Sequence, residues 1–117
     1  MAAAGASILV VEDDPSLRLV CRVNLELEQF RVREAEDLEG ARAAVAAERP
    51  DLVFLDLHLG TGASDGFLAE LRADGIPVVL VSGTVDVMEY EGRASEVMPK
   101  PFDPADLVAA AHRHAAS

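Results

Sequence analysis

Three short apolar runs punctuate the chain: Ile8-Leu9-Val10-Val11, Leu52-Val53-Phe54-Leu55 and Val78-Val79-Leu80-Val81. They are too brief for buried helices, rich in branched side chains and uninterrupted by polar residues, which predicts strands covered on both faces. Between them the hydrophobic period becomes helical. From Pro15 to about Glu28, Leu17, Val20, Cys21 and Leu25 recur at helical spacing, with Asp14 placed to cap and Pro15 suited to the first turn. Phe30 to Ala35, with Val32 between Arg31 and Arg33, predicts a weaker, partly exposed edge strand. Leu38 to Glu48 is an Ala-rich helical segment carrying Ala41, Ala44, Val45 and Ala47, and Arg49-Pro50 stops it. A short third helix is expected from about Asp65 to Asp74, ended by Gly75 and Pro77. The last helix is the best marked, with Asp103 as cap, Pro104 at its first position and Asp106 in its first turn.

Strand and helix alternate through five rounds, with no repeat, linker or low-complexity block. Such alternation predicts an α/β fold with a doubly wound, five-stranded parallel sheet, right-handed crossovers and helices on both faces. The strand order 2-1-3-4-5 is the natural choice at this length. The 117 residues fit a single domain over 8–117, with the Ala-rich residues 1–7 as a flexible leader.

Composition narrows the class. Half of the residues are hydrophobic but only 4% are aromatic, so the core is expected to be Ala, Val and Leu. A formal net charge of −11 argues against direct nucleic-acid binding and against an anionic membrane surface. The lone Cys21 cannot form an internal disulfide and should face the core. No run is apolar enough to span a bilayer or to resemble a secretory signal, so the expected compartment is the cytoplasm.

The chemistry gathers where the apolar runs end. The first runs into Glu12-Asp13-Asp14, the second into Asp56, the third into Ser82-Gly83, and Lys100 lies between Pro99 and Pro101. Ligand sites of open parallel sheets form outside the carboxyl ends of the strands, and order 2-1-3-4-5 sets Glu12 and Asp13 beside Asp56. Alone, Asp56 reads as well as a turn acid; the joint pattern favours chemistry. Clustered carboxylates repel unless a cation neutralises them, and Mg²⁺ suits one or two carboxylates completed by waters and a phosphate oxygen. His58, His112 and His114 are too dispersed to suggest zinc. With a metal in place Asp56 is a candidate nucleophile for phosphoryl transfer, and Lys100 and Ser82 are the kinds of group that stabilise the transferred charge. Asp14 is expected to cap rather than ligate. His112 and His114 are expected to be helix-terminus partners, and Tyr90 to be core.

Taken in order, Ile8 to Pro15, Asp51 to Leu57, Asp65-Gly66, Ser82-Gly83 and Lys100-Pro101-Phe102 resemble the receiver domain of bacterial two-component response regulators, the CheY-like superfamily. The resemblance spans about Ser7 to Ala115 and implies a flavodoxin-like fold. It implies that Asp56 is the phosphoacceptor, supplied by a histidine kinase or a histidine phosphotransfer domain. It makes Asp13 a direct ligand of Mg²⁺ (or Mn²⁺), Glu12 an acid acting through water, and the backbone carbonyl of His58 a further ligand. Ser82 becomes the switch hydroxyl that turns towards the phosphoryl group, Lys100 pairs with that group, and the Lys100–Pro101 bond is expected to be cis. His58 and Thr84 border the phosphoryl group and are candidates for tuning its lifetime. A downstream protein partner is implied, with the chain a monomer or a phosphorylation-dependent dimer.

Several positions depart from the family pattern. Val97 stands where an aromatic half of the switch is usual, so the switch region of Ser82 and Val97 lacks its ring. The interval from Ser82 to Lys100 is roughly one helical turn shorter than the family's, so the helix between strands four and five is expected to be short or irregular. Residues 60–64 form a longer, flexible loop in place of a compact turn. Gln29 replaces a glycine after helix one and predicts mild strain. Two competing readings stand beside the phosphoacceptor: an aspartyl phosphatase, which usually has a second acid where His58 lies, and a receiver-like interaction module working without phosphorylation. Beyond its own phosphoryl transfer and dephosphorylation, no enzyme activity is expected.

Overall fold

The computed structural model describes residues 5–56, 63–83 and 92–115. In chain order these form β1 (Ser7–Val11), α1 (Pro15–Leu27), β2 (Arg31–Ala35), α2 (Leu38–Ala47), β3 (Leu52–Asp56), α3 (Ala63–Ala73), β4 (Val78–Ser82), β5 (Glu96–Pro99) and α4 (Pro104–His114). The strands make one parallel sheet in the order β2-β1-β3-β4-β5. The expected doubly wound α/β architecture is therefore present, with β2 at an edge.

The continuous apolar runs divide between two cores because successive strand side chains point to opposite faces. Ile8, Val10, Leu52, Phe54, Val79 and Val81 pack with Cys21 and Leu25 of α1 and with Leu107, Ala110 and Ala111 of α4. Leu9, Val11, Val53, Leu55, Val78 and Leu80 pack instead with Leu38 and Ala41 of α2 and with Phe67, Leu68 and Leu71 of α3. Both faces are covered, so neither parity of the strand could be polar. β2 alternates only weakly, as an edge strand partly open to water permits.

Local signals hold the ends of the elements. The Asp14 side chain accepts from the Ser16 and Leu17 amides at the start of α1, as its capping role required. At the start of α4 the Asp106 carboxylate accepts from the Asp103 amide at 3.3 Å. β1 and β3 are clipped together at their entry: the Ser7 amide donates to Asp51 Oδ2, and the Asp51 amide to the Ser7 carbonyl, each at 2.7 Å. Gln29 has φ +70°, the strained left-handed conformation expected where glycine is missing. The Lys100–Pro101 bond is cis, as the resemblance implied.

Three expectations are corrected. The leader cannot run through residue 7, because Ser7 belongs to β1 and Ala6 is buried in the core. The third helix begins at Ala63, so residues 63 and 64 are helical rather than part of the loop expected over 60–64, and Ser64 is buried. Val20 is 41% exposed, outside the core-facing set of α1, because the helix turns only Cys21 and Leu25 fully inward. The short or irregular helix between β4 and β5, with Thr84 and Tyr90, falls outside the described residues, as does His58.

Candidate functional site

Strand register assembles the site. Val11 pairs with Leu55, so the next residues, Glu12 and Asp56, leave the sheet side by side. Asp56 in turn pairs with Val81, and Ser82, which follows, pairs with Pro99. The chain then delivers Lys100 to the same edge, where its amide donates to the Ser82 carbonyl at 2.7 Å. Glu12, Asp56 and Ser82 are buried, whereas Asp13 is exposed and opens the cluster to solvent.

Lys100 is the electrostatic keystone. Its Nζ lies 2.9 Å from Glu12 Oε1 and 3.4 Å from Asp56 Oδ2. Burial opposes its charge, but the two carboxylates outweigh that and hold the ammonium above its usual pKa. Burial pushes Glu12 the other way for an acid, up to about 7, helped by a hydrogen bond to the Asp56 side chain and opposed by Lys100. Glu12 Oε2 also accepts from the Asp14 amide at 3.1 Å. One lysine thus faces two buried carboxylates, and near neutrality Glu12 holds a proton for part of the time.

Carboxylate oxygens of Glu12, Asp13 and Asp56 lie within 4.8 Å of one another, the one cluster among the described residues with the spacing to hold a metal ion. The all-oxygen donor set, one member exposed and two buried, fits a hard divalent cation that keeps several waters. Cys21 is buried beneath this edge, its thiol pushed up to about 12 by burial, and takes no part as a thiolate.

Of the residues singled out in the sequence, the fold brings Glu12, Asp13, Asp56, Ser82 and Lys100 to one edge of the sheet. Val97 lies half-buried in β5, against the core that Leu80 joins. His112 and His114 sit in the last turn of α4, as expected, but reach to other elements: His112 Nε2 is 3.0 Å from Glu28 and His114 Nε2 2.8 Å from Glu96. Two features escaped the sequence reading. Arg18 Nη1 donates to the Glu12 main-chain carbonyl at 2.8 Å. On α1, Leu19, Val20, Val23 and Leu27 are 41–74% exposed. The helical spacing of these four side chains was the available signal.

Comparison with known proteins agrees. The family model described as response regulator receiver domain matches residues 8–112. The chain is 40% identical over 107 residues to the DNA-binding response regulator MtrA of Mycolicibacterium smegmatis, covering 87% of this chain and 47% of that protein. To the KDP operon transcriptional regulatory protein KdpE of Escherichia coli it is 32% identical over 120 residues, covering 95% and 53%. The chain therefore spans about half the length of these relatives. A response regulator from Thermotoga maritima superposes with a TM-score of 0.86, at 24% identity, over 97% of this chain and 99% of that one, which speaks to the fold.

Proposed function

Because this chain belongs to the response regulator receiver domain family, matched over residues 8–112, we propose that Asp56 is the residue on which it accepts a phosphoryl group. The donor in this reading is the phosphohistidine of a histidine kinase or a histidine phosphotransfer domain. The observation that carries the proposal is Lys100 Nζ between two buried carboxylates, 3.4 Å from Asp56, with Asp13 beside them.

An Asp56 carboxylate oxygen attacks phosphorus in line as the phosphorus–nitrogen bond to the donor breaks; the imidazole keeps the electron pair and is protonated as it leaves. Lys100 and the Ser82 hydroxyl meet the charge on the phosphoryl oxygens. Asp13, Asp56 and, through water, Glu12 would hold Mg²⁺ or Mn²⁺, which when bound neutralises the cluster and draws charge from those oxygens. Asp56 is buried, 2% exposed, beside the exposed Asp13.

Occupancy of Asp56 shifts a conformational equilibrium that a protein partner reads. The exposed stripe of Leu19, Val20, Val23 and Leu27 supports a protein partner on α1, since clustered apolar side chains at a surface mark contact sites. The decisive experiment is intact mass after incubation with Mg²⁺ and a small-molecule phosphodonor. One phosphoryl adduct is expected in the parent and none in Asp56→Asn or with chelator. No adduct in the parent, under conditions that label a control receiver, would instead favour an interaction module independent of phosphorylation.

A further inference from the structure

We propose that Arg18 is a positioning residue for this acid site: it clamps the Glu12 main-chain carbonyl against Glu34 and so holds Asp13 towards the metal. The inference rests on the phosphoacceptor reading above. Arg18 is the fourth residue of α1, and its own amide bonds to the Asp14 carbonyl at 2.9 Å. Helical side chains lean towards the N-terminus, which brings this one back over the loop that leaves β1. There Nη1 donates to the Glu12 carbonyl at 2.8 Å while Nε pairs with Glu34 Oε1 of β2 at 3.2 Å.

The clamp is itself held. Glu34 also takes Arg22 Nη1 at 2.8 Å, and Arg22 pairs with Glu26 at 3.3 Å, so the anchor of Arg18 is fixed from two sides. The Arg18 side chain is only 19% exposed, against 46% for Arg22. A guanidinium that sheltered, with two directional donors used on two different elements, restricts the loop more than a solvated surface pair would.

The consequence falls on Asp13. The Glu12 carbonyl and the Asp13 amide share one rigid peptide plane, so fixing the carbonyl fixes the direction in which the chain enters Asp13. Glu12 is tied elsewhere as well: its amide donates to the Ala35 carbonyl at 3.0 Å and its carboxylate meets Lys100. The exposed Asp13 is the cluster member whose side chain has least packing around it. Its orientation therefore depends on the peptide that Arg18 holds. Groups that orient a metal ligand typically change metal affinity about tenfold or more when removed.

The test is titration of metal-stripped protein with Mg²⁺ by calorimetry, at a pH above the Glu12 pKa, for the parent, Arg18→Gln, Arg18→Lys and Glu34→Gln. It is paired with the Mg²⁺ dependence of phosphorylation by a small-molecule donor. For R18Q the dissociation constant and the half-saturating Mg²⁺ concentration should both rise about tenfold, with the rate at saturating Mg²⁺ changed no more than about twofold. E34Q should move both in the same direction by less, and R18K, which keeps one donor for the carbonyl, should recover part of the loss. If R18Q does not fold, R18K and E34Q decide by the same criterion. Unchanged Mg²⁺ affinity with a lowered melting temperature would make Arg18 merely structural and overturn the inference. A parent that binds no Mg²⁺ and takes no phosphoryl group would sink the phosphoacceptor reading and this inference with it.

Discussion

The metal-free protein should lose stability as pH rises through neutrality, and Glu12 should be the cause. Its pKa is raised from 4.5 to about 7, chiefly by burial and then by Asp56. For an acid whose folded pKa lies above its unfolded value, the native state binds the proton better. The stability it contributes is complete below the unfolded pKa and lost as pH rises through the folded one. At about 1.4 kcal/mol per unit, that shift corresponds to an upper bound of about 3 kcal/mol. The exposed Asp13 side admits water to the cluster, which brings the expected loss nearer to about 2 kcal/mol.

Denaturant unfolding in chelator, at intervals from about pH 5 to about pH 8, should show the parent declining by that amount relative to Glu12→Gln. The comparison isolates Glu12: Glu96, where Arg113 and His114 outweigh burial, and Glu70, lowered by Arg42, act below this window. Lys100 and Cys21, both raised, act above it. Saturating Mg²⁺ should restore the parent at the alkaline end, since a ligand that favours ionised Glu12 binds only the folded state. A parent-to-variant gap independent of pH would refute the reasoning, as would a parent more stable at pH 8 than the variant by the same margin as at pH 5.

Two further outcomes follow from the geometry outside the acid cluster. Gln29→Gly relieves a non-glycine residue at φ +70° and should raise stability by about 0.5–1 kcal/mol, read as a higher denaturation midpoint with an unchanged slope. Val23→Ser with Leu27→Ser, at side chains 45% and 74% exposed, should leave labelling by a small-molecule donor unchanged. The same pair should slow transfer from a phosphohistidine protein several-fold; equal slowing by both routes would count against α1 as the docking face.

Much of this fold was legible because its signals are local or short in period. The continuous runs at 8–11, 52–55 and 78–81 read as doubly covered strands because both strand parities must be apolar when helices pack on both faces. Asp14, Asp103 and Asp106 announce their helices because caps satisfy amides within one turn. The candidate site residues were legible for a related reason. In a parallel sheet the strand ends converge, so the polar residue after each apolar run was already a candidate.

What escaped depends on groups far apart in sequence. Val20 fits the helical period of α1 but sits at its margin, and only the angle at which α1 meets the sheet decides that it faces water. Ser64 reads as a residue that caps or precedes a helix, and only the folded chain shows that α3 already begins at Ala63. Arg18 reads as one more charge on an amphipathic helix until the turn from β1 brings the Glu12 carbonyl to its guanidinium and β2 brings Glu34. Sequence alone determined the strand and helix alternation, the caps and the inventory of acids, hydroxyl and lysine, since each is written in local pattern. Tertiary structure alone decided that Lys100 bridges Glu12 and Asp56 and that burial raises the Glu12 pKa. Those properties arise from desolvation and charge proximity between residues that only the folded sheet brings within a few ångströms.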